Sequence, residues 1–436
     1  MNDPNDFETR ETLSSITPGG VMPREFVPPE PTPEPTFKPS PDIHRDLEES
    51  WERPDDFAKT GFRGLDAILR GGLRRGECVA LAGSAGQGKS SLAIQLALEA
   101  ARSGGVAIYC TVEMPREEIL ARAIAREMFT LADATGRNWA VGFGDVLFGH
   151  HLRGTITSTE MQTEVMGRYL RAREALHRDV YPRFIVQQLQ PGATIGDVAE
   201  LVANVRANLS FEGLVVLVLD PLQRLFASPS GARQGRALEA VNANETERVG
   251  AVVQELKHLA DAQNLAAVFT SDTTKAAVMG DAKGDGLELR GSYQLAHLAT
   301  VILTMRASED AEGLAKANLH AGLEGAQIER AAPSWLRTRD DATKLGARYA
   351  LLHCAKARRG PPSSFAMGFV PGAGAFVEGD ADDAGASPSK GKKPTKTKPT
   401  KTKPVNIVVK LNPMDSKRLA DAAIAEHTKP TEETDQ

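Results

Sequence analysis

Cysteine is scarce in this 436-residue sequence: the three present, Cys78, Cys110 and Cys354, have no C-x-x-C spacing and sit inside apolar runs. That arrangement leaves no framework for disulfides or a thiolate metal site, and it suits small buried hydrophobes in a reducing compartment. A surplus of either charge is also lacking, the formal net charge being −5. Bulk electrostatics therefore give no support to nucleic-acid binding, and any such contact has to come from local patches. No apolar stretch approaches the roughly 18 residues needed to span a bilayer. The N-terminus, MNDPNDFETRETLSS, has neither the basic region nor the apolar region of a secretory signal. These absences point to a cytoplasmic protein without membrane contact.

What is present falls into distinct regimes. Residues 1–41 are rich in Pro, Glu and Thr (FVPPEPTPEPTFKPSP) and poor in core formers, so they read as a disordered tail. Residues 42–59 form a short polar linker with helical character. From about residue 60 to 380, short apolar runs alternate with amphipathic helices. CVALAG, VAIYCTV, RFIVQQL, LVVLVLD, LAAVFTS, TVILTM and YALLHCA read as strands, several apolar throughout, as strands covered on both faces are. SSLAIQLALEAAR and RVGAVVQELKHLADAQ carry apolar residues at helical spacing. Such alternation predicts an α/β fold with a mainly parallel sheet flanked by helices. Residues 381–404 form a basic Lys/Pro/Thr linker, and 405–436 a short β-α piece too small to be a domain alone. The adjacent His150 and His151 receive no role.

The chemistry concentrates in GSAGQGKS, which fits the phosphate-loop pattern G-x-x-x-x-G-K-[ST], preceded by an apolar strand and followed by an amphipathic helix. Gly83, Gly86 and Gly88 let the backbone curl, so that N–H groups from Ser84, Ala85, Gln87 and the following residues through Ser91 can converge on phosphate oxygens. The helix N-terminus adds its positive dipole end. Lys89 would neutralise β- and γ-phosphate charge, and Ser90 would offer its hydroxyl oxygen to Mg²⁺, with ATP as the nucleotide. Asp220 ends the strand LVVLVLD, where a carboxylate faces the phosphates through a Mg²⁺-bound water; the plainer role is capping the next turn. Glu113 follows another strand and could polarise an attacking water, or simply start a helix.

These segments resemble the motor domain of DnaB-type replicative helicases, a RecA-like P-loop ATPase. TGFRGLDAILRGGLRRGECVALAGSAGQGKSSLAIQLALEAA looks like that domain's opening, and TVEMPREEILARAIARE resembles its Leu-Glu-Met-Ser segment, so that Glu113 falls on the catalytic glutamate. VLDPLQRL is similar to the Asp-Tyr-Leu-Gln segment and keeps Asp220 and Gln223. GLELRGSYQLAHLATVILTMR and CAKARRGPPSSFAMGFVPGAGAFVE resemble the later segments, so the similarity runs in order across residues 60 to 378. The resemblance implies a homo-oligomeric ring, usually a hexamer, with ATP between subunits. Lys356 and Arg358 match positions that reach the neighbouring nucleotide, and Arg359 is a rival. An arginine finger there is worth roughly 10³–10⁵ in rate. Without the resemblance, KARR reads as a solvated turn.

The departures are informative too. A Pro-rich tail stands where the family carries a helical domain that meets primase. Ser271-Asp272 stands where the family has Ser-Gln, and a carboxylate cannot donate to a γ-phosphate as an amide does. Gln223 and Asp272 are thus the candidates for nucleotide sensing or coupling. Residues 307–346 form an insertion without a counterpart.

Single-stranded DNA would meet two Gly-rich loops, Ser228 to Glu245 with Arg233 and Arg236, and Thr273 to Glu288 with Lys275 and Lys283. Neither has an aromatic for base stacking, and both could be ordinary surface loops. The lysine-rich linker adds salt-sensitive attraction to nucleic acid or serves as a tether. The expectation is an ATP-driven DnaB-like helicase or DNA-translocating motor in DNA replication, of a plasmid or other mobile element. The alternative is a RecA-like ATPase switch or scaffold that binds partner proteins through its tails without unwinding DNA.

Overall fold

The computed structural model describes residues 57–133, 142–149, 159–228, 245–272, 293–318, 321–337, 346–358, 360 and 363–379, with Arg45 and Glu48 in a helix. The Pro-rich tail, the basic linker and the terminal β-α piece lie outside these residues, as do His150, His151 and Arg359.

In chain order the strands are β1 (Phe57–Ala58), β2 (Leu73–Arg74), β3 (Cys78–Gly83), β4 (Val106–Thr111), β5 (Phe184–Gln188), β6 (Val215–Asp220), β7 (Leu265–Asp272), β8 (Val301–Ser308), β9 (Arg348–Ala357), β10 (Ser363–Val370) and β11 (Ala375–Val377). The helices are α1 (Arg63–Ile68), α2 (Lys89–Arg102), α3 (Arg116–Asp133), α4 (Phe143–Leu147), α5 (Thr159–Asp179), α6 (Ile195–Leu209), α7 (Glu245–Ala262), α8 (Tyr293–Leu298), α9 (Ala311–Ala317) and α10 (Gly325–Ala331). Among the described residues, β3 to β11 form one sheet ordered β11-β10-β9-β8-β3-β7-β6-β4-β5, and β1 pairs separately with β2. The six strands from β8 to β5 are parallel; β9, β10 and β11 extend the sheet antiparallel. All seven apolar runs read as strands are strands, and the mainly parallel α/β fold is as expected.

The apolar strands are covered on both faces, and their side chains alternate between two cores. On β3, Val79 and Leu81 pack with α2 residues such as Leu92 and Leu96, whereas Cys78, Ala80 and Ala82 join Val252, Val253 and Leu256 of α7. Burial on both sides removes the polar-apolar alternation that an exposed face would impose. The helix after the phosphate loop is central: ten of the fourteen residues of α2 are buried, so it is apolar nearly all round. Its one buried amide has a structural task. Gln95 donates through Nε2 to the Phe376 carbonyl (3.1 Å) and accepts from the Phe376 N–H (3.0 Å), pairing with the backbone of terminal strand β11. An exposed strand edge invites foreign pairing, and this amide occupies part of it.

The segment expected as an insertion is a built part of the fold. Strand β8 runs to Ser308, so the first residues of 307–346 continue the sheet. Helices α9 and α10 and the turn Ser334–Arg337 then cover the second face of the antiparallel strands. Leu314, Ile328 and Leu336 pack there with Leu351, Ala366, Val370 and Phe129. Gly368 permits the approach, because a Cβ there would meet Pro333 Cδ at 3.0 Å. The two ends of the core also meet. Glu378 accepts hydrogen bonds from the backbone N–H groups of Arg63 (2.8 Å) and Gly64 (2.7 Å), filling the free N-terminus of α1, and Arg63 donates to the Gly379 carbonyl (3.0 Å).

Candidate nucleotide site

The carboxyl ends of β3, β7, β6 and β4 lie along one edge of the sheet, with Gly83 in register with Asp272 and Thr111 with Asp220. The connection from β3 leaves toward β4, while β7 to β8 crosses back over β3. Ligands of open α/β sheets bind at such a reversal. The loop Gly83–Gly88 projects from it into α2, whose N-cap, Gly88, has φ +93°. A Cβ on Gly88 would strike the Phe376 and Phe369 rings at 2.7 and 2.8 Å, and only glycine avoids both problems. Gly86 has φ +77° and nothing within 4 Å of its Cβ position, so the loop presents open space at its tip. A backbone cradle facing space at a helix N-terminus fits the phosphates of a nucleotide.

Lys89, the first residue of α2, folds back over this loop. Its ammonium donates to Gly83 O (2.8 Å), Ser84 O (3.0 Å) and Asp272 Oδ1 (2.9 Å). Ser90 and Ser91 follow, and Ser91 is buried. Ala85 is exposed in the loop, and Gln87 turns its side-chain oxygen to the Ala307 N–H, tying the loop to β8. A cavity of about 250 Å³ is lined by Gly86, Gly88, Lys89, Ser90, Arg122, Phe369 and Pro371 among others. A larger cavity of about 590 Å³ lies beyond β4 at the end of β5, lined by Arg116, Gln188, Gln190 and Asn204 among others. It is remote from the phosphate loop, and the smaller cavity is the one with the convergent groups that bind an anion.

Asp220 is buried at the end of β6, and two hydroxyls donate to it. Tyr109 Oη lies 2.6 Å from Oδ2, and the Thr270 hydroxyl bonds Oδ1. Burial, the charge of Asp220 and this hydrogen bond push the Tyr109 hydroxyl far above its usual range, so it remains a donor. A carboxylate has about four acceptor positions, which leaves room for a metal-bound water. After Asp220, a cis peptide to Pro221 leads to the turn Leu222–Arg224. Arg248 on α7 braces this turn through the carbonyls of Gln223 and Leu225, both at 2.8 Å. Gln223 donates to Ser271 Oγ (2.7 Å), joining the turn to β7. Glu113 lies past β4, half exposed, and its carboxylate is held by Arg224 (2.7 Å).

The remaining candidates lie apart. Strand β9 runs antiparallel to β8, with Lys356 near its end in register with Ile302 and Arg358 just past it donating its backbone N–H to Thr300 O, so both sit toward the opposite edge of the sheet. Five residues of β3, about 16 Å at 3.3 Å per residue, separate the two edges. Lys356 donates to His297 O at 2.9 Å, and Arg358 approaches the same carbonyl at 3.4 Å. Burial, then the charge of Arg358, lowers the Lys356 pKa. Neither can reach the phosphate loop of its own chain. Arg233, Arg236, Lys275 and Lys283 lie outside the described residues.

Sequence reasoning missed Tyr109, Thr270, Arg224, Arg248 and Arg122. Arg122 reaches the cavity from α3 with its guanidinium 3.9 Å over the Phe143 ring and paired to Glu118. In sequence, Glu118 and Arg122 are an ordinary i,i+4 pair, and nothing local marks them. Among the described residues no group of three or more His, Cys, Asp or Glu could hold a metal ion. A metal here would thus depend on phosphate oxygens, which is how Mg²⁺ is usually bound beside a nucleotide. No helix among the described residues is long and apolar enough to cross a membrane.

Residues 58–129 match the family model described as "ATPase: KaiC". Two solved structures share the fold at 17% sequence identity, each over 78% of this chain. One is an ATPase domain on its own, matched over 99% of its length with a TM-score of 0.56. The other, "The Structure Of A DnaB-Like Replicative Helicase And Its Interactions With Primase", is matched over 67% with a TM-score of 0.55. No curated protein matches significantly. At this identity the likeness shows the fold alone, the RecA-like architecture that both structures share.

Proposed function

We propose that this RecA-like chain is an ATPase that drives a DNA-translocating ring, a DnaB-like helicase acting in DNA replication, of a plasmid or other mobile element. The observation that carries the reading is the single sheet edge shared by the Lys89 loop, Asp220 and Glu113. The backbone of Gly83–Ser91 and Lys89 would hold the β- and γ-phosphates, with Arg122 and Pro371 beside them. Ser90 and, through water, Asp220 would hold Mg²⁺. The metal would supply positive charge that offsets the negative charge of the phosphates. Glu113, turned from Arg224, would orient a water toward the terminal phosphorus and accept its proton as ADP and phosphate separate.

The placement of Lys356 and Arg358 favours an oligomer. A finger at the far edge of the sheet can serve only a neighbouring copy's nucleotide, so hydrolysis by this reading requires assembly, in a ring of six. Single-stranded DNA would pass by the two basic loops that hold Arg233, Arg236, Lys275 and Lys283. Protein partners would engage the tails, and a cytoplasmic setting suits these roles. The Lys89–Asp272 pair favours a second reading, a nucleotide-dependent switch without unwinding.

ATP hydrolysis with and without single-stranded DNA separates the two. The motor reading expects strong stimulation by DNA, lost in Glu113→Gln with a fall of about 10²–10⁴-fold, the usual worth of a general base. Hydrolysis indifferent to DNA would establish the switch instead. Turnover retained by Lys89→Ala would overturn the site itself.

A further inference from the structure

We infer that Asp272 discriminates the third phosphate of the site: its carboxylate occupies the place on Lys89 that a γ-phosphate oxygen must take. The inference rests on the reading of Gly83–Ser90 as an ATP site. An ammonium has three donors. Those of Lys89 are all committed, two to the loop carbonyls of Gly83 and Ser84 and one to Asp272. The carbonyls are fixed by the loop that forms the cradle. The side chain of Asp272 is half exposed and is the one exchangeable partner, whereas that of Lys89 is only 12% exposed.

The backbone of Asp272 is fixed as well. It is the last residue of β7, in register with Gly83 at the start of the loop. A carboxylate displaced from Lys89 therefore stays within one side-chain length of the phosphates. The terminal phosphoryl group must face Glu113 and Asp220, which lie beyond β4 and β6. Strand β7 lies between β6 and β3, so Asp272 flanks the path of that group. A diphosphate ends in the backbone cradle and avoids most of this repulsion. A triphosphate has to displace the carboxylate and then tolerate it. Mg²⁺ would ease the conflict by lowering the net negative charge of the nucleotide.

Fluorescent ATP and ADP analogues titrated into the full chain, with and without Mg²⁺, test this. Asp272→Asn and Asp272→Ser should each raise affinity for the triphosphate relative to the diphosphate by about tenfold in the absence of Mg²⁺, and the advantage should shrink when Mg²⁺ is present. Asp272→Glu should restore the discrimination. A triphosphate-to-diphosphate ratio unchanged within twofold in both the Asn and Ser variants would overturn the inference while leaving the ATP site standing. Lys89→Ala binding both analogues like the unaltered chain would overturn the site and the inference together.

Discussion

Replacing Tyr109 with phenylalanine isolates one atom at the centre of the sheet. The ring stays in the core with Val79, Leu81 and Val216, and only the hydroxyl is lost. That hydroxyl is fully buried and lies 2.6 Å from Oδ2 of Asp220, itself 5% exposed. Hydrogen bonds to charged groups contribute about 1.5–3 kcal/mol. Here the acceptor is a buried carboxylate with Thr270 as its remaining hydroxyl donor, so the upper half of that range applies. Urea unfolding at neutral pH should show Tyr109→Phe less stable by about 2–3 kcal/mol. Thr270→Val, combined with it, should cost more than the sum of the two single changes, because both donors serve one carboxylate. A loss under about 0.5 kcal/mol for Tyr109→Phe would refute the reasoning, since it would mean Asp220 finds water as readily as it finds the phenol.

Two further outcomes follow from burial. The Cys78 and Cys110 thiols are pushed up to about 12 and Cys354 to about 11 by desolvation, against an ordinary value of 9.0. Above pH 9 the unfolded chain releases these protons while the folded chain keeps them. Their stabilising contribution is full below pH 9 and declines above it by about 1.4 kcal/mol per pH unit per thiol. Cys110→Ala should remove about a third of that thiol slope in unfolding measured from pH 8 to 10.5, and an unchanged slope would contradict it. Ile328→Ala empties a fully buried position in the helical cover of the antiparallel strands and should cost about 2–5 kcal/mol while sparing nucleotide affinity. Unfolding indistinguishable from the unaltered chain would show that α10 is not integral to the fold.

Most of the central sheet was legible because its strands are buried on both faces and leave unbroken apolar runs. The phosphate loop was legible because the geometry of phosphate binding dictates glycines, a lysine and a serine at fixed spacing. Strand ends were less so: β8 and β9 continue through Arg306-Ala307-Ser308 and Lys356-Ala357, mixtures of polar residues and alanine that local pattern assigns to loops. Helices α9 and α10 are seven residues each and rich in alanine and glycine, too short to show a period. The partners of the catalytic candidates were invisible for another reason. Tyr109 and Thr270 look like ordinary strand residues, and only the adjacency of β4, β6 and β7 brings them to Asp220. Asp272 could be recognised as a departure from the helicase pattern, but its grip on Lys89, 183 positions away in the chain, depends on the pairing of β3 with β7.

The clasp between Glu378 and the first turn of α1 brings the entry and exit of the core to one spot on its surface. Mechanically this makes the domain a closed loop with a short bridge. A load applied between the two flanking segments would be carried by that clasp and by Arg63, and would bypass the sheet and the phosphate loop. A pull on those two segments would then leave the nucleotide site undeformed.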